Sequence, residues 1–188
     1  GVPAGDYLQH TTTAGLSQFR ETCEQLEKAE FEVKSVAAVL DFDAICIRHN
    51  LLVAAEAARV HAQWFAQHGD LYHTKTANFI QRGQNVSRAD MASARDGCEQ
   101  LRDALTALME ANQIDVWISP SAPGTAPEGL HSTGDPVMNL PWTHSGLPTI
   151  GLPSGQDAGG LPFGLQLAAS YGADEILFSW AAQIEEAL

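Results

Sequence analysis

Residues 115–167 read DVWISPSAPGTAPEGLHSTGDPVMNLPWTHSGLPTIGLPSGQDAGGLPFGLQL, and this stretch decides the fold. Three short β-prone runs, Val116–Ser119, Thr149–Leu152 and Leu165–Ala168, alternate with loops that hold most of the chain's prolines and many of its glycines. Strands bounded in this way belong to a buried sheet whose functional loops emerge at the strand ends.

Immediately upstream, Met91, Ala94, Cys98, Leu101, Leu105 and Leu108 recur in steps of three and four, the period of one helical face. Ser87 and Asp90 form a capping box that opens this helix, which ends near Asn112. Further back, the Ala-rich segment Asp41–His68 lacks Gly and Pro and predicts one long helix, with Glu56 and Arg59 as a surface ion pair. A short helix is expected at Thr76–Gln81, stopped by Gly83. At the start of the chain, Gly1–Pro3 reads as the end of a strand. Thr11–Thr13 then caps a helix carrying Leu16, Phe19, Cys23 and Leu26, and Phe31–Val39 alternates as a strand. Downstream, Asp174–Leu188 predicts a helix with Ile176, Leu177, Trp180, Ala181 and Ile184 facing inward. Strand, helix, strand and more helices give an α/β fold class: a mixed β-sheet covered by helices, with residues 1–188 forming one unit.

The balance of charge narrows the partners. A net charge of −13 with only ten Lys and Arg, scattered along the chain, excludes nucleic acid and disfavours an anionic membrane surface. No apolar run reaches membrane-spanning length. Cys23, Cys46 and Cys98 are too few and too dispersed for a disulfide framework or a zinc site. Cys23 and Cys98 fall on apolar helical positions, so buried thiols in a reducing, cytoplasmic setting are expected. The opening Gly1-Val2-Pro3 shows no export signal and reads as the remainder of a longer chain.

A search for chemistry is mostly exclusion. Ser154, in Gly-Leu-Pro-Ser-Gly, is not a nucleophile elbow, because one glycine of that pattern is misplaced. Gly155–Gly160 lacks the Lys and Ser/Thr of a phosphate loop and reads as a turn between strands. His61 and His68 share a helical face but stand roughly 10 Å apart by helical rise, too far to hold a metal unaided. His144 lies among the functional loops, where a solvated histidine is favoured over a catalytic one. Neither metal nor cofactor is expected.

The ordered series D-V-W-I-S-P-S-A-P-G-T-A-P, T-G-D with N-L-P-W-T, S-G-L-P-T-I-G-L-P-S-G, G-L-P-F-G-L-Q-L and A-D-E-I-L resembles the C-terminal half of amidase-signature enzymes. Gly1-Val-Pro resembles the opening of that half, so the similarity spans nearly all 188 residues. The resemblance implies cleavage of amide carbon–nitrogen bonds. It also implies a serine nucleophile activated through a second, cis-peptide serine and a desolvated lysine, with glycine-loop amides holding the oxyanion.

In the family those groups lie in a Gly/Ser-rich signature in the N-terminal half. Residues 1–188 contain no Ser-Ser pair, and Lys28, Lys34 and Lys75 have no matching context, so no catalytic residue is assigned and the chain is expected to be inactive alone. What the resemblance does place here is the acyl-side loop of the substrate pocket, Asp135 to Thr143. Asp135, Asn139, Trp142 and Thr143 are its candidates for binding a small amide. Two readings stay open: Asn139 and Trp142 touch substrate, or Asn139 caps a short helix and Trp142 fills the core. Gln166 is expected to satisfy backbone groups within the sheet. N-L-P-W-T is closer to free-standing amidases than to the transamidase branch. A noncatalytic truncated paralogue, acting as a binding or partner module, is the rival reading. Half a sheet would expose strand edges and an apolar face, so a homodimer through that surface is expected.

Overall fold

The computed structural model describes residues 1–188, which divide into two compact units: Gly1–Phe42 with Leu101–Leu188, and Asp43–Gln100.

In the first unit, strands β1 (Val2–Ala4) and β2 (Ser35–Ala37) pair in parallel. Strands β3 (Trp117–Pro120), β4 (Thr149–Gln156) and β5 (Pro162–Ala168) form an antiparallel sheet with β5 in the centre. Gly1 joins the two groups: its nitrogen donates to the Val116 carbonyl at 2.8 Å, and its carbonyl accepts from the Ile118 amide at 2.8 Å. The result is the expected mixed sheet. All three expected strands of the Pro/Gly-rich stretch are present, and the turn expected at Gly155–Gly160 is confined to 157–161, because β4 runs on through Gly155 and Gln156.

Register sorts the side chains into two faces. Ile118, Leu167 and Ile150 align across the sheet, as do Pro120, Leu165 and Leu152. Leucines and isoleucines of this face join Phe19 and Leu26 of helix α1 (Thr13–Lys28) and Leu177, Ala181 and Ile184 of helix α7 (Asp174–Ala187) in one core. Ile176, expected inward, is 56% exposed. One residue is a rotation of about 100° on a helix, which carries it off the stripe set by 177, 181 and 184. Cys23 is half-buried rather than buried, at the margin of the same core.

The expected strand 31–39 shrinks to β2 because α1 ends in a left-handed cap. Glu30 has φ 67°, and the Phe31 amide donates back to the Leu26 carbonyl at 3.0 Å. This consumes the backbone at 29–31 while packing Phe31 against the core, as such caps do.

The second unit is helical. Helix α2 (Phe42–Val60) does not run on to His68; His61 leaves helical geometry and a separate α3 (Ala62–His68) follows. At the break, the His61 Nδ1 lies 2.8 Å from the Tyr72 hydroxyl, and Trp64 and Tyr72 stack edge-on against its ring. Helix α4 (Thr74–Gln84) contains Gly83 instead of stopping before it. That glycine is buried where a Cβ would collide with the Ala54 carbonyl, so the residue serves close helix packing. Helix α5 (Arg88–Asn112) opens on the expected capping box, with Ser87 Oγ accepting from the Asp90 amide at 3.0 Å. Glu56 pairs with Arg95 at 3.5 Å, not with Arg59. No helix is long and apolar enough to cross a membrane.

Candidate functional site

Between β3 and β4 the chain forms a single 3-10 turn at Pro136–Asn139 and then a short helix, α6 (Leu140–Ser145). Asp135 starts the turn: its carboxylate accepts from the Val137 amide at 3.0 Å, and Pro136 supplies a φ already suited to the first helical position. Pro141 does the same for α6, which ends at Gly146 with φ 71°. The helical cap among the four candidate residues therefore comes from Asp135. Asn139 makes no side-chain cap and instead donates from Nδ2 to the Ser121 carbonyl at 3.3 Å, tying the segment to the loop after β3.

Trp142 lies inside, at 1% exposure. Its indole packs edge-on to Tyr7 and tilted against Trp117, and its Nε1 donates to the Tyr7 hydroxyl at 3.1 Å. Thr143 is exposed and Asn139 half-buried. Four residues apart across this short helical run, these two share an outer face, while Met138 and Trp142 share the inner one. The segment thus separates the candidates: Asn139 and Thr143 offer polar groups outward, and Trp142 supports them from beneath.

His144 is not a solvated loop residue. It is 3% exposed, because Pro141 begins a helix whose inner face takes in positions 141, 142, 144 and 145. Gln166 is buried as expected, yet its Nε2 has no hydrogen-bond partner, so the side-chain nitrogen is not spent on backbone groups.

The loop after β3 is fastened on its other side by α1. The Thr12 amide donates to the Pro123 carbonyl at 2.7 Å, while the Thr12 hydroxyl accepts from the Gly15 amide at 3.1 Å and caps the helix. A Cβ at Gly15 would strike the Pro123 carbonyl, so only glycine permits this approach. Gln18 donates to the Ser154 carbonyl at 2.6 Å. In the β4–β5 turn, Asp157 accepts from the Gly159 and Leu161 amides at 2.8 and 2.9 Å. These bonds, the Leu161 one foremost, hold its carboxyl below the usual carboxylate range.

A lysine acting as base must be desolvated, and none of the three is buried. Lys34 donates to the Asn112 carbonyl at 2.9 Å and lies 3.3 Å from Glu32. Burial pushes the Cys23 thiol up to about 11, so it stays protonated at neutral pH and is no nucleophile. No group of three or more His, Cys, Asp or Glu is placed to hold a metal ion. A cleft of about 390 Å³, lined by Phe31, Ile114, Val116 and Trp180, lies away from the segment, by the start of β3 and α7.

The family model for Amidase matches residues 1–178. The chain belongs to the Amidase family. Among curated relatives, a Glutamyl-tRNA(Gln) amidotransferase component of Synechococcus sp. (strain WH7803) is 37% identical over 81 residues, 39% of this chain and 17% of the relative. The 6-aminohexanoate-cyclic-dimer hydrolase of Pseudomonas sp. (strain NK87) is 41% identical over 73 residues, 36% of this chain and 15% of that enzyme. Among solved structures, an amidase superposes on the whole chain with a TM-score of 0.88 at 24% identity. A substrate complex of 6-aminohexanoate cyclic dimer hydrolase does so with 0.77 at 22%. The amidase-family chain covers 45% and 44% of those two structures, and less than a fifth of either curated relative is aligned.

The residues that the sequence did not single out are those that hold the segment in place: Tyr7, Ser119 and Arg102. Arg102 donates from Nε to the Ser145 carbonyl at 2.8 Å, and its guanidinium lies 4.1 Å from the centre of the Tyr171 ring. Tyr7 and Arg102 sit in no motif, Ser119 lies in one without a role that its neighbours reveal, and each acts on residues at least 43 positions away.

Proposed function

We propose that residues 1–188 form the C-terminal part of an amidase that hydrolyses amide carbon–nitrogen bonds by a Ser–cis-Ser–Lys mechanism, with all three catalytic groups supplied by sequence outside them. The serine would add to the amide carbonyl, the amine would leave with a proton, and water would release the acid. This chain's share is the acyl-side wall of the pocket: Asp135 sets its first turn, Asn139 and Thr143 hydrogen-bond the amide, and Trp142 forms its floor. One observation carries the reading. The family match extends over residues 1–178, yet none of the lysines within it is buried and no two serines are adjacent.

The test is amine release from a panel of small aliphatic and aryl amides. The 188-residue chain alone should show no turnover above background, since loss of nucleophile and base removes several orders of magnitude in rate. The longer polypeptide carrying a Gly/Ser-rich signature should turn over. Turnover by the chain alone refutes the division of labour. No turnover by the longer polypeptide favours a noncatalytic binding module.

A further inference from the structure

The most buried polar cluster of the first unit has Tyr7 at its centre, with no exposed surface. Its hydroxyl oxygen lies 2.6 Å from the Met138 carbonyl, 3.1 Å from the Trp142 Nε1 and 3.1 Å from the Ser119 Oγ. A phenol has one proton, and an indole N–H only donates. The Met138 carbonyl only accepts and is nearest, so it receives the Tyr7 proton. Trp142 and Ser119 then both donate to the Tyr7 oxygen. All bonding capacity of that oxygen is used, and every partner is buried.

Two of the three partners belong to the segment that carries the candidate wall. Met138 immediately precedes Asn139, and Trp142 immediately precedes Thr143. Met138 and Trp142 point inward to Tyr7 while Asn139 and Thr143 occupy the outer face. At the far end, Arg102 holds the Ser145 carbonyl. Asn139 and Thr143 therefore stand on a span fixed from below at 138 and 142 and behind at 145.

We infer that Tyr7 is a positioning residue of the amide pocket: its hydroxyl fixes the Met138 carbonyl and the Trp142 indole, and through them the placement of Asn139 and Thr143. This rests on the amidase reading above. Tyr7 itself does not reach substrate, being enclosed by protein on all sides. A phenyl ring in its place would leave the core volume intact but free the inner face of the span. Burial also keeps the phenol protonated, with its pKa pushed up to about 12, so the donor to Met138 persists at all ordinary pH.

The experiment is Tyr7→Phe in the complete enzyme that carries this chain, with kcat and KM for a small amide normalised to titrated active sites, and hydrogen exchange followed by fragment. The expected result is a KM at least tenfold higher, a kcat within threefold of wild type, and exchange at least tenfold faster in 136–146 with α7 unchanged. A KM within twofold of wild type, or exchange accelerated equally throughout, would overturn the inference and leave Tyr7 as core packing alone. Should Y7F not accumulate folded, Ser119→Ala removes one donor to the Tyr7 oxygen; exchange accelerated within 136–146 and not in α7 supports the inference, and unchanged exchange there overturns it. If the wild-type enzyme cleaves no amide, the amidase reading fails, and the exchange comparison still decides whether Tyr7 holds the span.

Discussion

The two units are built on opposite terms. Asp43–Gln100 has six acidic and six basic residues, so its formal charge is zero and the whole net charge of −13 resides in the sheet-containing unit. The second unit is helical throughout, and its contacts are between residues close in sequence or on neighbouring helices. The first unit draws together segments more than a hundred residues apart, through a central strand and buried hydroxyls. It also carries the candidate pocket wall. Where a unit must hold loops still for recognition, long-range polar bonds do the holding, and apolar packing on the opposite sheet face supplies the free energy to order them.

The largest effect that would break this contrast is expected at Leu165, fully buried on β5 in the apolar core. Leu165→Ala should cost about 3 kcal/mol, from lost transfer free energy plus the residual cavity. Urea denaturation checks it, and a loss under about 1 kcal/mol would mean that β5 is not the keystone of the unit.

Alkaline pH probes the polar face. The folded Tyr7 pKa is raised from 10.0 to about 12, burial outweighing the hydrogen bonds from Ser119 and Trp142. A raised pKa gives a contribution that is complete below the unfolded value and is lost as pH climbs through the folded one, because the unfolded chain sheds the proton first. Between pH 10 and 12 the loss should total about 3 kcal/mol, on the scale of 1.36 kcal/mol per pKa unit. Urea midpoints compared for wild type and Tyr7→Phe isolate this group from other titrations. Parallel curves would show that the hydroxyl is not enclosed as described.

Much of the first unit could be read from sequence for a local reason. The strands at 117–120, 149–156 and 162–168 are bounded by Pro and Gly, and α1, α5 and α7 announce themselves by period. What escaped depends on partners distant in the chain. His144 looked like a loop histidine because nothing within a few residues says that Pro141 opens a helix with an inner face. Trp142 had two readings, and Tyr7, 135 positions away, is what places it in the core. Asn139 was expected either to touch substrate or to cap a helix; the carbonyl it binds belongs to Ser121, in another loop. Gly83 has the sequence context of a helix stop, and only the nearness of Ala54 explains it as a contact point.

Gly83 sharpens the comparison from the other side. Intrinsic helix propensity favours Ala over Gly in a helix interior by up to about 1 kcal/mol. Sterics oppose it, since the added Cβ would meet backbone at Ala54 rather than a yielding side chain, an overpacking cost of about 2 kcal/mol or more. The clash should win. Gly83→Ala is expected to destabilise α2 and α4 by about 1 kcal/mol net, seen as faster hydrogen exchange within 43–100. A gain in stability would show that the two helices can separate at no cost.

The smallest effect is expected at the Glu56–Arg95 pair, whose side chains are 50% and 56% exposed with 3.5 Å between them. In a unit of zero net charge, neither partner relieves a wider repulsion, so removing one changes little beyond their mutual attraction. Water screens that attraction and side-chain entropy offsets it, leaving less than about 0.5 kcal/mol. Glu56→Gln should therefore shift the urea midpoint hardly at all, at low or high salt. The same neutralisation in the acidic unit has a different background. Glu30→Gln, beside Glu27 and Glu32 on a surface of net −13, removes self-repulsion and should raise stability slightly at low salt, with the gain vanishing as salt is added. Equal responses to salt for the two variants would mean that charge is felt alike in both units, and that the contrast in composition has no consequence for stability.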